Sequence, residues 1–286
     1  MSTHNSQLHD LLLNALNEDC PQGDITTEWF LSQAASGTAK LISKDHGVFF
    51  GKLLIESIFE VLGGTDSISW FAYDGASVQP NDPICTIQGP LKTILKAERV
   101  MLNFVQRLSG IASTTHHFVT RLNNSRIQVL DTRKTTPLYR FLERQAVLAG
   151  GGFNHRLNLS DMVLLKENHL TQLAHEGRLS QLPQLMNNFK KQHPHVWIEI
   201  EIETLDQLHS MDLTHADVIM LDNFKLPNIE PAVKICKDRG FKALIEVSGN
   251  VTLDTIAQFS QLPIDRISVG SLTHSPKALD LSLLIQ

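Results

Sequence analysis

The chain has 286 residues, 42% of them hydrophobic and 19% charged, with a formal net charge of -5. That is ample apolar material for one large domain or two modest ones. The mild acidity speaks against nucleic acid as a partner, and no run of 18 apolar residues is present to span a membrane.

The start, MSTHNSQLHD, is polar and lacks the basic-then-apolar order of a signal peptide. Cys20, Cys85 and Cys236 form no close pair, which predicts reduced thiols and a cytoplasmic location. Residues 6–17 carry a helical period through Leu8, Leu11, Leu12, Ala15 and Leu16. GDITT (23–27) reads as a loop, and 38–50 as short strand pieces around Gly47. Residues 52–62 read as a helix with Ile55, Ile58, Phe59 and Leu62 on one face and Gly63 as its stop. Short strands between turns fill 65–90. A long helix follows from about Lys92 to Leu122, with a kink or break expected at Ser109-Gly110.

After Arg121, apolar strands alternate with helical stretches. IQVLD (127–131) precedes a helix that Thr136 could cap, with Pro137 at its first position. Gly150-Gly151-Gly152 lacks the dinucleotide spacing and reads as a helix stop. MVLLK (162–166), WIEIEIE (197–203), DVIMLD (217–222), KALIEVS (242–248) and RISVG (266–270) complete six strands. The pattern predicts a parallel α/β sheet, closed or nearly closed into a barrel, with an open doubly wound sheet as the alternative.

Polar residues gather at the C-terminal ends of these strands, the edge where α/β barrels build their sites. Asp131 is followed by Thr132, Arg133 and Lys134; Lys166, Asp222, Ser248, Gly270 and Ser271 end other strands. Arg133, Lys134, Arg140, Arg144, His155, Arg156 and Lys166 crowd one region of an acidic chain, which points to a small anionic ligand. In WIEIEIE the period of two puts Glu199, Glu201 and Glu203 on one face and three isoleucines on the other. The glutamates would face the lumen, where Lys134, Lys166 or a metal could balance them; a solvated edge strand is the other reading. Ser248-Gly249-Asn250 and Val269-Gly270-Ser271 are consecutive small-residue turns suited to phosphate.

The chain resembles quinolinate phosphoribosyltransferase (decarboxylating), a family also called nicotinate-nucleotide pyrophosphorylase. The resemblance rests on EDCPQGDITT (18–27), AERVMLNFVQRLSGIAS (97–113), DTRKTTP (131–137), GGGFNHRLNLSD (150–161), LLKENH (164–169), EIEIE (199–203), IMLDN (219–223), EVSGN (246–250) and ISVGSLTHS (267–275). Two departures stand out: Leu138 where the family usually has glycine, and Asn250 where many members have a second glycine. The resemblance implies an N-terminal α/β sandwich (1–113, joined by 274–286) and an incomplete barrel of about six parallel strands (114–273). It implies a homodimer, or a larger oligomer, with Arg99 completing the neighbour's site. The implied reaction joins quinolinate to 5-phosphoribosyl-1-pyrophosphate, giving nicotinate mononucleotide, pyrophosphate and CO2, with Mg2+ accompanying the pyrophosphate. By similarity Arg99, Arg133, His155 and Arg156 hold the carboxylates, and Thr132 lies beside them in the substrate site. Lys134 and Lys166 stand where the substrates meet, and Glu201 and Asp222 face the ribose or its magnesium. Ser248, Gly249, Asn250, Val269, Gly270 and Ser271 cradle the 5-phosphate. Rival readings are a related phosphoribosyltransferase with another pyridine or pyrimidine acceptor, and a non-catalytic phosphometabolite-binding module.

Overall fold

A computed structural model describes residues 3–286. Two compact units divide the chain, one comprising Met1–His116, Gln145–Gly151 and Pro276–Gln286, the other His117–Arg144 and Gly152–Ser275. Residues 145–151 thus cluster with the first unit, whereas the sequence reading left them in the barrel.

In the first unit, helix α1 (Thr3–Asp19) is followed by α2 (Ile25–Phe30). The expected loop at GDITT is in part this helix. Asp24 caps it, accepting the Thr26 and Thr27 amides at 3.1 and 3.0 Å, so the chain turns helical at Ile25. Strands β1 (Ser36–Ser43) and β2 (Gly47–Val48), helix α3 (Lys52–Val61), and strands β3 (Ser67–Trp70), β4 (Ser77–Val78) and β5 (Pro83–Pro90) follow. β1 pairs antiparallel with β5, β5 with β3, and the chain's last strand, Leu281–Ile285, returns to flank β1.

Helix α4 (Leu91–Leu122) runs unbroken through Ser109-Gly110, where a kink or break was expected. Ser109 Oγ accepts the Phe50 amide at 3.0 Å and donates to the Phe50 carbonyl at 3.1 Å. A Cβ at Gly110 would meet the Lys277 carbonyl at 2.2 Å, so glycine there lets the returning chain approach.

The second unit carries β6 (Gln128–Leu130), the start of α5 (Arg140–Ala149), β7 (Val163–Leu165), α6 (Glu167–His175), α7 (Leu182–Gln192), β8 (Ile198–Ile202), α8 (Leu205–Ser210), β9 (Val218–Asp222), α9 (Leu226–Asp238), β10 (Leu244–Ser248), α10 (Leu253–Ile256), β11 (Arg266–Ser268) and α11 (Ser271–His274). The six strands form one parallel sheet in the order β6-β11-β10-β9-β8-β7. Phe153 bridges Leu130 in parallel on the free side of β6, which lays the chain leading to His155 along that edge.

β8 shows why the sheet curls around a core. Ile198, Ile200 and Ile202 are buried on one face, each burial stabilising the fold by roughly 1.5–3 kcal/mol. On the other face exposure grades along the strand: Glu199 is buried, Glu201 half-buried and Glu203 exposed. The glutamate row therefore climbs from the barrel interior to its mouth.

α5 starts at Arg140, three residues later than expected. Leu138 takes φ 66, a left-handed conformation that breaks any helix begun at Pro137. Thr136 still braces the helix, its amide and Oγ1 donating to Glu143 at 3.1 and 2.9 Å. Leu138 is exposed and strained, and left-handed backbone costs a non-glycine residue about 1–2 kcal/mol. Glycine relieves that strain but adds unfolded-state entropy of about 0.4–1 kcal/mol. Leu138→Gly is therefore expected to raise Tm by about 1–3 °C in a thermal melt; a lowered Tm would show that the leucine side chain has a partner.

Candidate active site

The sheet register sets the site. Asp222 pairs with Ser248 and Ser248 with Ser268, so these three share the lumen face at the C-terminal edge. Glu201 pairs with Met220, Met220 with Glu246, and Glu246 with Arg266, one ring below. Above these rings opens a cavity of about 700 Å³, within the range of small-molecule sites.

Every site residue expected from the sequence, except Arg99, lines this cavity. Thr132, Arg133 and Lys134 come from the turn after β6, and His155 and Arg156 from the segment along its edge. Lys166 follows β7, Glu201 and Asp222 sit at the ends of β8 and β9, and the two small-residue turns follow β10 and β11. Arg99 lies exposed on α4 in the first unit. Sequence reasoning passed over Asn223, Thr252, Ser268 and His274, which also line the cavity. Asn223 had a signal, since it follows Asp222 directly.

Charge divides the cavity. Arg156 is buried at 8% exposure, and its Nη1 donates to the Met162 carbonyl at 3.2 Å. Burial, and then the Arg133 guanidinium nearby, hold its pKa below the usual arginine value. Arg133 Nε is buried without a hydrogen-bond partner. Two guanidiniums thus converge in low dielectric, an arrangement that an anion would relieve. On the acidic side, Lys166 Nζ lies 2.5 Å from Glu201 Oε1. The lysine is nearly half exposed, so releasing it to another anion costs only about 0–1 kcal/mol. Asp222 is held above the usual aspartate range by burial first and by the Glu201 carboxylate second, against Lys166.

Beneath this mouth lies a second ionic group. His155 Nε2 is 3.1 Å from Glu199 Oε2 and 3.2 Å from Glu246 Oε1, and Arg266 Nε is 3.3 Å from Glu246 Oε2. The sequence reading sought the counter-charge for this glutamate row in Lys134, Lys166 or a metal. Lys166 serves Glu201, but the buried Glu199 is met by His155, a partner the linear pattern could not reveal. Burial opposes charge on the His155 ring, yet the two carboxylates outweigh it and raise its pKa, so this buried group as a whole holds an extra proton near neutral pH. Asp131 supports the same segment: its Oδ1 accepts the His155 amide at 2.7 Å and lies 3.6 Å from Arg144 Nη1. Burial pushes its carboxyl up to about 6 against those two partners.

The phosphate-type turns also take the required backbone. Gly249 has φ 91, and a Cβ there would strike Asn223 Oδ1 at 2.1 Å. Asn250 has φ 54, which explains how asparagine replaces a glycine: it is among the residues that best tolerate this region.

Comparison with known proteins matches the chain along nearly its whole length. Residues 24–109 match the model of "Quinolinate phosphoribosyl transferase, N-terminal domain" and residues 111–284 that of its C-terminal domain. The chain is 36% identical over 278 residues to the probable nicotinate-nucleotide pyrophosphorylase [carboxylating] of Bacillus subtilis, covering 97% of this chain and 93% of that one. It is 33% identical to the Mycobacterium leprae nicotinate-nucleotide pyrophosphorylase [carboxylating], over 96% of this chain and 95% of that one. The solved structure of the Francisella tularensis nicotinate-nucleotide pyrophosphorylase superposes with a TM-score of 0.88 at 35% identity, covering 99% of this chain and 97% of that one.

Proposed function

This chain belongs to the quinolinate phosphoribosyltransferase family, and we propose that the barrel-mouth cavity carries out that reaction with the residues just described. The enzyme is a pentosyltransferase of pyridine nucleotide and NAD biosynthesis: it moves the 5-phosphoribosyl group from 5-phosphoribosyl-1-pyrophosphate to quinolinate, with loss of CO2. The observation that carries our assignment of the cavity is that buried Arg156 and half-buried Arg133 line one cavity together with Glu201 and Asp222.

In this reading Arg133 and Arg156 clamp the two carboxylates of quinolinate, and Arg99 of a neighbouring subunit joins them. Guanidinium forks match carboxylate geometry and fix the ring in place. Lys166 leaves Glu201 for the incoming anions, and Lys134 stands beside it at the junction of the substrates. As pyrophosphate departs, positive charge grows on the ribose, and Glu201 and Asp222 stabilise it. The pyridine nitrogen then attacks the sugar carbon. The resulting pyridinium stabilises the electron pair left at the neighbouring carbon when CO2 leaves, and that carbon then takes up a proton to give nicotinate mononucleotide. Positioning and charge stabilisation supply most of the rate. The turns at Ser248-Gly249-Asn250 and Val269-Gly270-Ser271 hold the 5-phosphate.

Asp222 and Glu201 also suit a magnesium ion arriving with pyrophosphate, because burial and then the neighbouring Glu201 carboxylate raise Asp222, and a cation between the two would relieve both. Magnesium would supply neutralisation of the leaving pyrophosphate. Among the described residues no helix is long and apolar enough to cross a membrane, and the cysteines are free thiols, which suits a cytoplasmic enzyme. Purified protein given quinolinate and 5-phosphoribosyl-1-pyrophosphate should release nicotinate mononucleotide and CO2. Turnover of nicotinate without CO2 release would overturn the reading.

A further inference from the structure

We propose that His155 is a positioning residue, not a ligand of the substrate carboxylate: with Glu199, Glu246 and Arg266 it forms a buried ionic post beneath the cavity that holds the Arg156 backbone in place. The substrate named here rests on the function proposed above, but the state of the ring does not.

Each polar atom of His155 already faces a protein group. Its amide donates to Asp131 Oδ1 at 2.7 Å, and its carbonyl accepts from Arg144 Nη1 at 2.7 Å. Its Nδ1 accepts the Arg156 amide at 2.8 Å. Its Nε2 points between Glu199 and Glu246, at 3.1 and 3.2 Å. Imidazole has two nitrogens, and both are directed at protein groups, so neither is turned to a carboxylate in the cavity.

Hydrogen bonding assigns the tautomer. An N–H donor directed at Nδ1 requires that nitrogen to be bare, so the ring proton sits on Nε2 between the carboxylates. The charge count then locates another proton. Glu199 and Glu246 are both fully buried, and Arg266, at 3.3 Å from Glu246 Oε2, neutralises one carboxylate. No hydroxyl or amide reaches either carboxylate among the described residues. Two buried anions with only one guanidinium in ion-pair contact, Arg156 acting on Glu199 from farther off, are unfavourable unless a proton joins them. Burial, and then Glu246, raise the Glu199 carboxyl, while the carboxylates raise the His155 ring. Both effects retain that proton. The Arg156 amide opposes the imidazolium, so the proton rests on Glu199.

His155, Glu199 and Glu246 also offer three metal-ligating atoms within 4.8 Å of one another. Arg266 and the proton already balance their charge, which leaves a metal no electrostatic role. What the post does reach is Arg156, whose amide is held by the ring while its guanidinium meets the cavity.

Nitrogen-15 NMR of histidine-labelled enzyme tests this directly, with the His155 resonances identified by their loss in His155→Gln. The expected ring has protonated Nε2 and bare Nδ1 between pH 6 and 8, in free enzyme and with quinolinate added. A doubly protonated ring, or one that changes protonation when quinolinate binds, would overturn the proposal. In kinetics, Glu246→Gln should raise KM for quinolinate by about tenfold or more, with a smaller change in kcat. Glu199→Gln should do less, because glutamine matches a protonated glutamate in shape and charge. Equal effects, or a stoichiometric divalent ion lost in Glu199→Gln, would also count against the post. Should Glu246→Gln fail to fold, the ring spectrum of the unaltered enzyme still decides.

Discussion

Exchange of Arg156 for methionine is expected to lower kcat/KM for quinolinate by about 10²-fold or more, with Tm unchanged or slightly raised. Removing one partner of a desolvated charge pair costs about 3–5 kcal/mol, and here the partner is the substrate carboxylate. Stability follows a different sign. Without ligand, the Arg156 guanidinium is buried near that of Arg133 and held by one carbonyl at 3.2 Å. Losing that bond costs about 0.5–1.5 kcal/mol, and relief of burial and of the Arg133 repulsion, which together outweigh the pull of Glu199 and Glu201, offsets it. Methionine keeps the apolar length of the stem. A site built for function at the expense of stability shows this opposition of activity and Tm. Steady-state kinetics beside a thermal melt measure both. A loss below about threefold would reject the clamp, and a Tm collapse would mean that Arg156 holds the fold instead.

The second large effect concerns Arg99. Arg99→Ala and Lys166→Ala should each abolish most activity alone, and mixing the two should restore about a quarter of the unaltered rate once subunits exchange. The reason is geometric. Lys166 lines the cavity from the second unit, and Arg99 is exposed on α4 without lining it. If a two-fold dimer lends Arg99 to its neighbour's cavity, half of the random pairs are mixed, and each mixed pair carries one intact site. Recovery is read as nicotinate mononucleotide formed, after exchange is confirmed with labelled subunits. No recovery would place Arg99 in its own subunit's chemistry or outside the site.

Much of this enzyme was legible in one dimension. A period of two in WIEIEIE assigned the isoleucines to the packed face and the glutamates to the lumen, because side chains alternate strictly along a strand. Polar residues at the ends of apolar strands marked the mouth, because parallel strands bring their C-terminal ends to one edge. Gly150 and Gly151 marked the end of α5, since few other residues suit a φ of 86 such as that of Gly151.

Other features depended on residues far apart in sequence. Nothing in the linear pattern excludes a helix at Pro137; the φ of 66 at Leu138 does. Ser109-Gly110 looked like a weak point in α4, yet each residue serves a separate segment, Phe50 for one and Lys277 for the other. Local pattern therefore determined the strands, their faces and the edge that bears the site. Only the tertiary structure decided which charge meets which. Glu199, Glu246 and Arg266 come from three strands and His155 from a connecting segment, and the energy of a buried ion depends on distance and dielectric, which chain order does not encode.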